Sequence, residues 1–462
     1  MRSLNRRQFI ASATALATLP SSRAFADANA DLLSAQEVSV QLLPNDYGPT
    51  TLWGFNGNAP GAEIRVAQGS RVKRILRNTL SQPTSVHWHG IRIDNAMDGV
   101  SGLTQNAVLP GAEFDYDFVA PDAGTYWYHA HNMSTQQVAR GLYGPLIVEE
   151  ADKIDIDREE VLVLDDWLVN PDTAQLDDDF EASHALSHAG RIGNFITTNA
   201  TYNLVLNTRK NERLRLRLIN ASNARIFPLQ LQGLDGWTVA LDGMPLAVPQ
   251  KVTEALVLGP AQRVDLIVDV IADSGETAHL VHLGQQEAFS QVAFEVGTGG
   301  ATTRRAAPDA LPPNNYTPVD LGKATALTLN MEGGAMGGLR TATLGGEEKS
   351  MREIVDAGRF WAFNGAADGM DGPPLARVSI GEHVRVAIRN DTAFPHAMHL
   401  HGMHFHEVAE DGSLGSLRDT TLLERNTSRE IAFVADNPGK WLLHCHMLSH
   451  AASGMMTRIV VA

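Results

Sequence analysis

Residues 71–78 read RVKRILRN and residues 213–220 read RLRLRLIN. Apolar and charged positions alternate with a period of two, which turns one face of an extended strand toward a core and the other toward polar surroundings. Such runs recur between turn signals in a chain holding 40 Gly and 21 Pro, and Val/Thr/Leu-rich segments prevail over helix formers. The pattern predicts an all-β protein built of antiparallel sandwiches. At 462 residues the chain is too long for one core, and roughly two to four domains are expected.

A repeat organises these strands. RVAQGSRVKRILRNTLSQPTSVHWHG (65–90) and RVSIGEHVRVAIRNDTAFPHAMHLHG (377–402) share Arg-Val at the start, Arg-Asn in the middle and His-x-His-Gly at the end. A fainter copy, TRKNERLRLRLINASNARIFPLQLQG (208–233), has a one-residue slip and Gln230 and Gln232 in place of the His pair. Three similar β domains are expected, at 31–150, 151–310 and 311–462. The first and third would carry chemistry, and the second, without a His pair, would not.

The histidines carry that chemistry. Of 17 in the chain, 12 lie in HWHG (87–90), YWYHAH (126–131), HAMHLHGMHFH (396–406) and HCHMLSH (444–450). Random placement would give about 0.6 His-x-His pairs; the chain has five. In a strand the β-carbons of such a pair lie about 6.6–6.8 Å apart on one face, so the two imidazoles can reach neighbouring metals about 3.5–4 Å apart. Imidazole suits copper, zinc, iron and nickel alike, so the clusters alone leave the metal open.

Cys445, the single cysteine, sits between His444 and His446. Alternation sends its sulfur to the face opposite the two imidazoles, so one metal on sulfur would be joined to others on nitrogen by a few covalent bonds. His₂Cys with a weak axial Met is the ligand set of blue-copper electron-transfer sites. Cys445, His450 and Met455 supply three of its members. Aligning Gly124 with Gly439 sets His129 and His131 against His444 and His446. It also sets Ala130, Thr135 and Arg140 against Cys445, His450 and Met455. Upstream, His396 falls on Thr84, which makes His396 the fourth member. The sulfur site thus belongs to the third domain alone, and the two His pairs of domain one and the two of domain three would meet at their shared seam.

The N-terminus adds an address. Arg6-Arg7, a mildly apolar run from Phe9 to Leu19 and Ala24-Phe25-Ala26 make residues 1–26 similar to a twin-arginine export signal. Export machinery of that kind and a periplasmic location are expected. Cleavage removes four arginines and no acid, taking the formal charge from −16 to −20. An acidic exported protein is a poor partner for nucleic acid or anionic membranes and attracts cations. No later run approaches the roughly 18 apolar residues of a membrane span.

Together the motifs His-Trp-His-Gly, Tyr-His-x-His, His-x-x-His-x-His and His-Cys-His-x₃-His-x₄-Met resemble those of the three-domain, laccase-like multicopper oxidases, in order and spacing and over the whole mature chain. The resemblance implies three cupredoxin-like Greek-key β-sandwich domains and four copper ions. It implies a type 1 copper on His396, Cys445 and His450 with Met455 axial. It implies a type 2 copper on His87 and His399, and a type 3 pair on His89, His129, His131, His401, His444 and His446. The implied reaction is one-electron oxidation of phenols or aromatic amines coupled to reduction of O₂ to water, with Cu⁺, Mn²⁺ or Fe²⁺ as the alternative substrates and a monomer as the working unit. Asp98 matches the family's acidic residue near the trinuclear cluster and is the expected proton donor. Several bacterial relatives have an acid directly after the second type 1 His, where this chain has Ala451. Relatives that oxidise Cu⁺ carry a Met-rich insert. Met331, Met336 and Met351 stand at a comparable place and read as core or surface residues of a short helix and loop. His404 and His406 extend the alternation and read as surface or supporting positions. A copper-free envelope protein of the same fold is disfavoured by the complete ligand set, and a copper nitrite reductase by the paired His arms.

Overall fold

The computed structural model describes residues 31–285 and 287–462, so the export signal expected at 1–26 lies outside the described residues. Six larger sheets fall into three face-to-face pairs along the chain. In the first, Thr50–Phe55, Leu32–Val40, Arg71–Asn78 and Glu113–Val119 form one sheet, and Ile64–Ala67, Tyr143–Glu149, Gly124–Ala130 and Val86–His89 the other. The second pairs a six-stranded sheet running from Phe195–Thr198 to Met244–Lys251 with a five-stranded sheet running from Leu204–Arg209 to Leu256–Leu258. The third pairs a six-stranded sheet ending in Trp361–Phe363 and Leu414–Arg418 with a five-stranded sheet ending in Ala376–Val378 and Thr420–Leu423. Each pair closes over its own apolar core, drawn from both sheets.

The sheets are mixed and not purely antiparallel as expected. Each of the six holds one parallel pairing: Leu32–Val40 with Arg71–Asn78, Ile64–Ala67 with Tyr143–Glu149, Arg158–Trp167 with Arg213–Asn220, Leu204–Arg209 with Ala288–Gly297, Thr325–Gly333 with Glu382–Asn390, and Ala376–Val378 with Met456–Val461. The paired strands are separated in sequence by strands of the facing sheet, so the chain crosses between sheets and returns in the same direction.

The repeat maps onto one supersecondary unit used three times. Its copies run through Ile64–Ala67, Arg71–Asn78 and Val86–His89; through Leu204–Arg209, Arg213–Asn220 and Phe227–Gln232; and through Ala376–Val378, Glu382–Asn390 and His396–Leu400. The asparagine in the middle of each copy pins the following loop. Asn78 Nδ2 donates to Gln82 O and Val108 O, and Asn390 Nδ2 to Phe394 O and Glu424 O. Asn220 Nδ2 donates to Arg225 O and Leu258 O, one residue further on in the copy with the slip. The Oδ1 atoms accept from the backbone N–H two residues ahead in every copy. A buried backbone left unpaired would cost about 1–3 kcal/mol, so the asparagine is the residue each loop needs.

In the middle copy the polar face is buried as well. Arg213, Arg215 and Arg217 are all 1% exposed and meet Asp269, Asp265, Glu150 and Glu159. Arg217 also donates to Thr125 of the first sandwich, 2.9 Å away. The alternation that reads as core against solvent is here core against a charged seam.

Candidate metal centre

The residue between the members of each His pair anchors that pair. Trp88, Ala130, Leu400 and Cys445 are 0–1% exposed. Trp88 meets the rings of Tyr116, Phe118 and Tyr128 at 5.4, 5.0 and 5.8 Å between centroids, contacts worth roughly 0.5–1.5 kcal/mol each. With the odd residue fixed in the core, the flanking imidazoles project together from the other face.

Those faces converge between the first and third sandwiches and bring together all eight predicted imidazoles. His87 stacks on His401 at 3.9 Å and His89 on His399 at 3.7 Å, so each pair from one domain lies against a pair from the other. His401 Nε2 and His444 Nε2 are 3.2 Å apart, and His131 joins them in a group whose nitrogens could hold one metal ion. His129 Nε2 lies 3.4 Å from both His89 Nδ1 and His446 Nε2. His87 Nδ1 donates to Asp98 O (2.8 Å) and His399 Nδ1 to Asp419 O (3.0 Å). Each of these two rings is left with a buried Nε2 that has no hydrogen-bond partner among the described residues.

Bare buried nitrogens are the observation that tests the fit to metal. An orphaned buried donor or acceptor costs about 1–3 kcal/mol, and coordination removes that cost. Burial, followed by repulsion from neighbouring imidazoles, holds His89, His129, His131, His401, His444 and His446 well below the usual histidine range. The rings therefore stay neutral, with lone pairs free to bind.

The second constellation lies inside the core of the third sandwich. His396 Nδ1 and His450 Nδ1 are 3.0 Å apart, and Cys445 Sγ is 3.6 and 3.8 Å from them. A point equidistant from the three lies about 2 Å from each, within the ~2.0–2.3 Å reach of metal–nitrogen and metal–sulfur bonds. Both rings are fixed from outside: His396 Nε2 lies 2.8 Å from Thr392 Oγ1, and His450 Nε2 donates to His188 O at 2.7 Å. Met455 is fully buried in the same core. Burial lowers His450 to about 4 and pushes the Cys445 thiol up to about 12. A soft cation able to displace that thiol proton suits a site of one sulfur and two neutral imidazoles.

Asp98 is 2% exposed, and its carboxylate accepts from His401 Nδ1 at 3.0 Å. Four neighbours carried no sequence signal. Trp361 packs its ring 4.5 Å from that of His450, Thr392 touches His396, Asp419 lies beside His89 and His399, and Arg263 pairs with Asp419. The segment with three methionines divides: Met331 is fully buried in the core strand Thr325–Gly333, Met336 is 81% exposed, and Met351 opens a helix reaching Asp356. His404 and His406 join no group of metal-binding geometry among the described residues, and both are buried rather than at the surface.

Three two-sheet units, a sulfur–imidazole site and a cluster of eight imidazoles one residue away from it define a metal-dependent oxidoreductase architecture. Family models described as multicopper oxidase match residues 37–153, 158–302 and 346–462. The chain is 30% identical over 441 residues to the multicopper oxidase MmcO of Mycobacterium tuberculosis, covering 88% of this chain and 82% of that one. A crystal structure of a multi-copper oxidase from Pseudomonas thermotolerans superposes with a TM-score of 0.81 at 33% identity, covering 93% of this chain and 98% of that one. Lac15 from a marine microbial metagenome superposes at 0.76 with 40% identity, covering 93% and 99%. Further relatives are named as a laccase, a copper resistance protein and an iron transport oxidase. The chain belongs to the multicopper oxidase family, whose members are oxidoreductases that use copper, O₂ and a reducing substrate.

Proposed function

We propose that the chain is a laccase-like oxidase that takes single electrons from phenolic or aromatic substrates at the Cys445 site. It passes them to O₂ at the eight-imidazole cluster. In this reading His396, Cys445, His450 and Met455 would hold type 1 copper, His87 and His399 would hold type 2, and His89, His129, His131, His401, His444 and His446 would hold the type 3 pair. Four bound copper ions would supply the electron storage that lets one-electron donors reduce O₂ to water. Cys445 joins the two sites through the peptide bonds to His444 and His446, and His444 Nδ1 donates to Cys445 O at 2.9 Å. Asp98 accepts the His401 Nδ1 proton in a hydrogen bond and is the acid we assign to pass protons inward.

The observation that carries the substrate reading is the outer edge of the sulfur site. His450 Nε2 donates to the backbone of His188, whose half-exposed ring stacks on exposed His184 at 4.1 Å. Electrons from a planar donor docked there have a route of one side chain and one hydrogen bond. A second reading, oxidation of metal ions, is favoured by the acidic charge and by the same two imidazoles. Steady-state rates of the copper-loaded protein on a phenol, Cu⁺ and Mn²⁺ side by side decide between them. Phenol as the best substrate by kcat/KM supports the laccase reading, and a tenfold or greater preference for an ion overturns it. We also propose twin-arginine export to the periplasm and a monomeric working form. Arg6→Lys with Arg7→Lys should keep the protein in the cytoplasm, and export of that variant would contradict the route.

A further inference from the structure

The middle sandwich contributes no imidazole to the cluster, yet one of its side chains reaches the cluster's edge. Arg263, in the strand Arg263–Val270, is fully buried, and all five of its side-chain N–H donors are used. Nε donates to Thr125 O (3.2 Å); Nη1 donates to Ala261 O (3.1 Å) and Asp419 Oδ1 (2.9 Å); Nη2 donates to Asp242 O (3.0 Å) and Asp419 Oδ2 (2.6 Å). One guanidinium thereby ties together backbone of the first sandwich, backbone of the second and a carboxylate of the third. A fork-to-fork pair of this kind fixes the carboxylate plane as well as its position.

That carboxylate in turn touches one imidazole from each half of the cluster. Asp419 Oδ1 lies 3.3 Å from His89 Nε2 and 3.3 Å from His399 Nδ1. Donation from His399 Nδ1 leaves Nε2 of that ring bare, whereas donation from His89 Nε2 leaves Nδ1 bare, and it is Nδ1 that faces His129. One residue, Asp419, therefore selects opposite tautomers in two neighbouring rings, its backbone O accepting from His399 Nδ1 at 3.0 Å and its Oδ1 from His89 Nε2 at 3.3 Å. Outer partners of metal-binding histidines set tautomer and ring orientation in this way. Gly90, which closes the His-Trp-His-Gly motif, leaves the space for it: a Cβ there would sit 2.1 Å from Arg263 Nη2 and 2.4 Å from Asp419 Oδ2.

We propose that Arg263 and Asp419 are a positioning pair through which the middle domain, itself free of copper ligands, holds His89 and His399 in metal-binding orientation, so that type 2 occupancy depends on domain two. The inference rests on assigning those imidazoles to copper.

The test compares the copper-loaded parent with Arg263→Lys, which keeps the charge and loses the fork, and with Asp419→Asn and Asp419→Glu. Copper per chain is measured during chelator competition, with the type 2 paramagnetic resonance signal and the type 1 blue absorption read on the same samples. Arg263→Lys and Asp419→Asn should weaken type 2 retention about 10–100-fold at unchanged type 1 absorption, and Asp419→Glu should recover part of it. Wild-type retention in Arg263→Lys and in Asp419→Asn overturns the inference. So does parallel loss of the type 2 and type 1 signals, because the pair would then be holding the fold together and not orienting ligands of one site. A parent without any type 2 signal overturns the copper assignment and this inference with it.

Discussion

Gly90→Ala is the substitution whose cost the structure defines most closely. Gly90 has φ +84, and an added Cβ would fall 2.1 Å from the Arg263 guanidinium. Gly69 has φ +78 with nothing within 4 Å of an added Cβ, so Gly69→Ala carries the backbone cost alone. That cost is roughly 1–2 kcal/mol for a left-handed residue. At position 90 neither neighbour can yield freely, because Arg263 is held by five hydrogen bonds and Asp419 by that fork. Displacing one partner of a buried ion pair adds about 3–5 kcal/mol, so Gly90→Ala should cost about 5 kcal/mol in all. For sandwiches of this size 1 kcal/mol lowers the thermal midpoint by roughly 2–4 °C. Scanning calorimetry of the copper-depleted proteins should show a drop of a few degrees for Gly69→Ala and of 10 °C or more for Gly90→Ala. Midpoints within about 3 °C of each other would refute the packing argument around Arg263.

Further expectations concern single residues. Asp98→Asn should leave the blue absorption and copper content intact and slow O₂ reduction about 100-fold or more, measured by stopped-flow reoxidation; an unchanged rate removes its proton role. His404 is buried, neither ring nitrogen has a hydrogen-bond partner among the described residues, and burial lowers it from 6.5 to about 4. The unfolded chain therefore takes up this proton before the folded one, and stability falls as pH drops from 6.5 toward 4, by up to about 1.4 kcal/mol per pH unit. His404→Met should raise the thermal midpoint more at pH 5 than at pH 7.5, and an equal gain at both would sink the assignment. Met336→Ala, at an exposed loop position, should change neither cuprous nor phenol oxidation; a selective fall in the cuprous rate would give that loop a substrate role.

What was legible in the sequence follows from what is local. His-x-His pairs report their common face because strand side chains alternate, and the repeat exposed His396 because Thr84 stands in its place in the first copy. The loop-pinning asparagines and the one-residue slip in the middle copy were visible for the same reason. Arg263 and Asp419 were not, since a contact across 156 residues leaves no periodic trace and neither residue sits in a motif. The partner of His450 was invisible in principle: it is a backbone carbonyl, and any residue at 188 would offer one. The parallel pairings were missed because strand direction depends on which sheet the chain visits in between. Alternation continues through His404 and His406, but it cannot tell a buried imidazole from an exposed one.

The central claim is that Cys445 is the sulfur through which electrons reach the imidazole cluster. Cys445→Ser in the copper-loaded protein tests it most directly, by visible absorption together with copper content and O₂ consumption. Loss of the blue band and of oxidase turnover, with the cluster's copper retained, is the predicted result. A variant that stays blue, or that still consumes O₂ with a phenol at the parent rate, would contradict it.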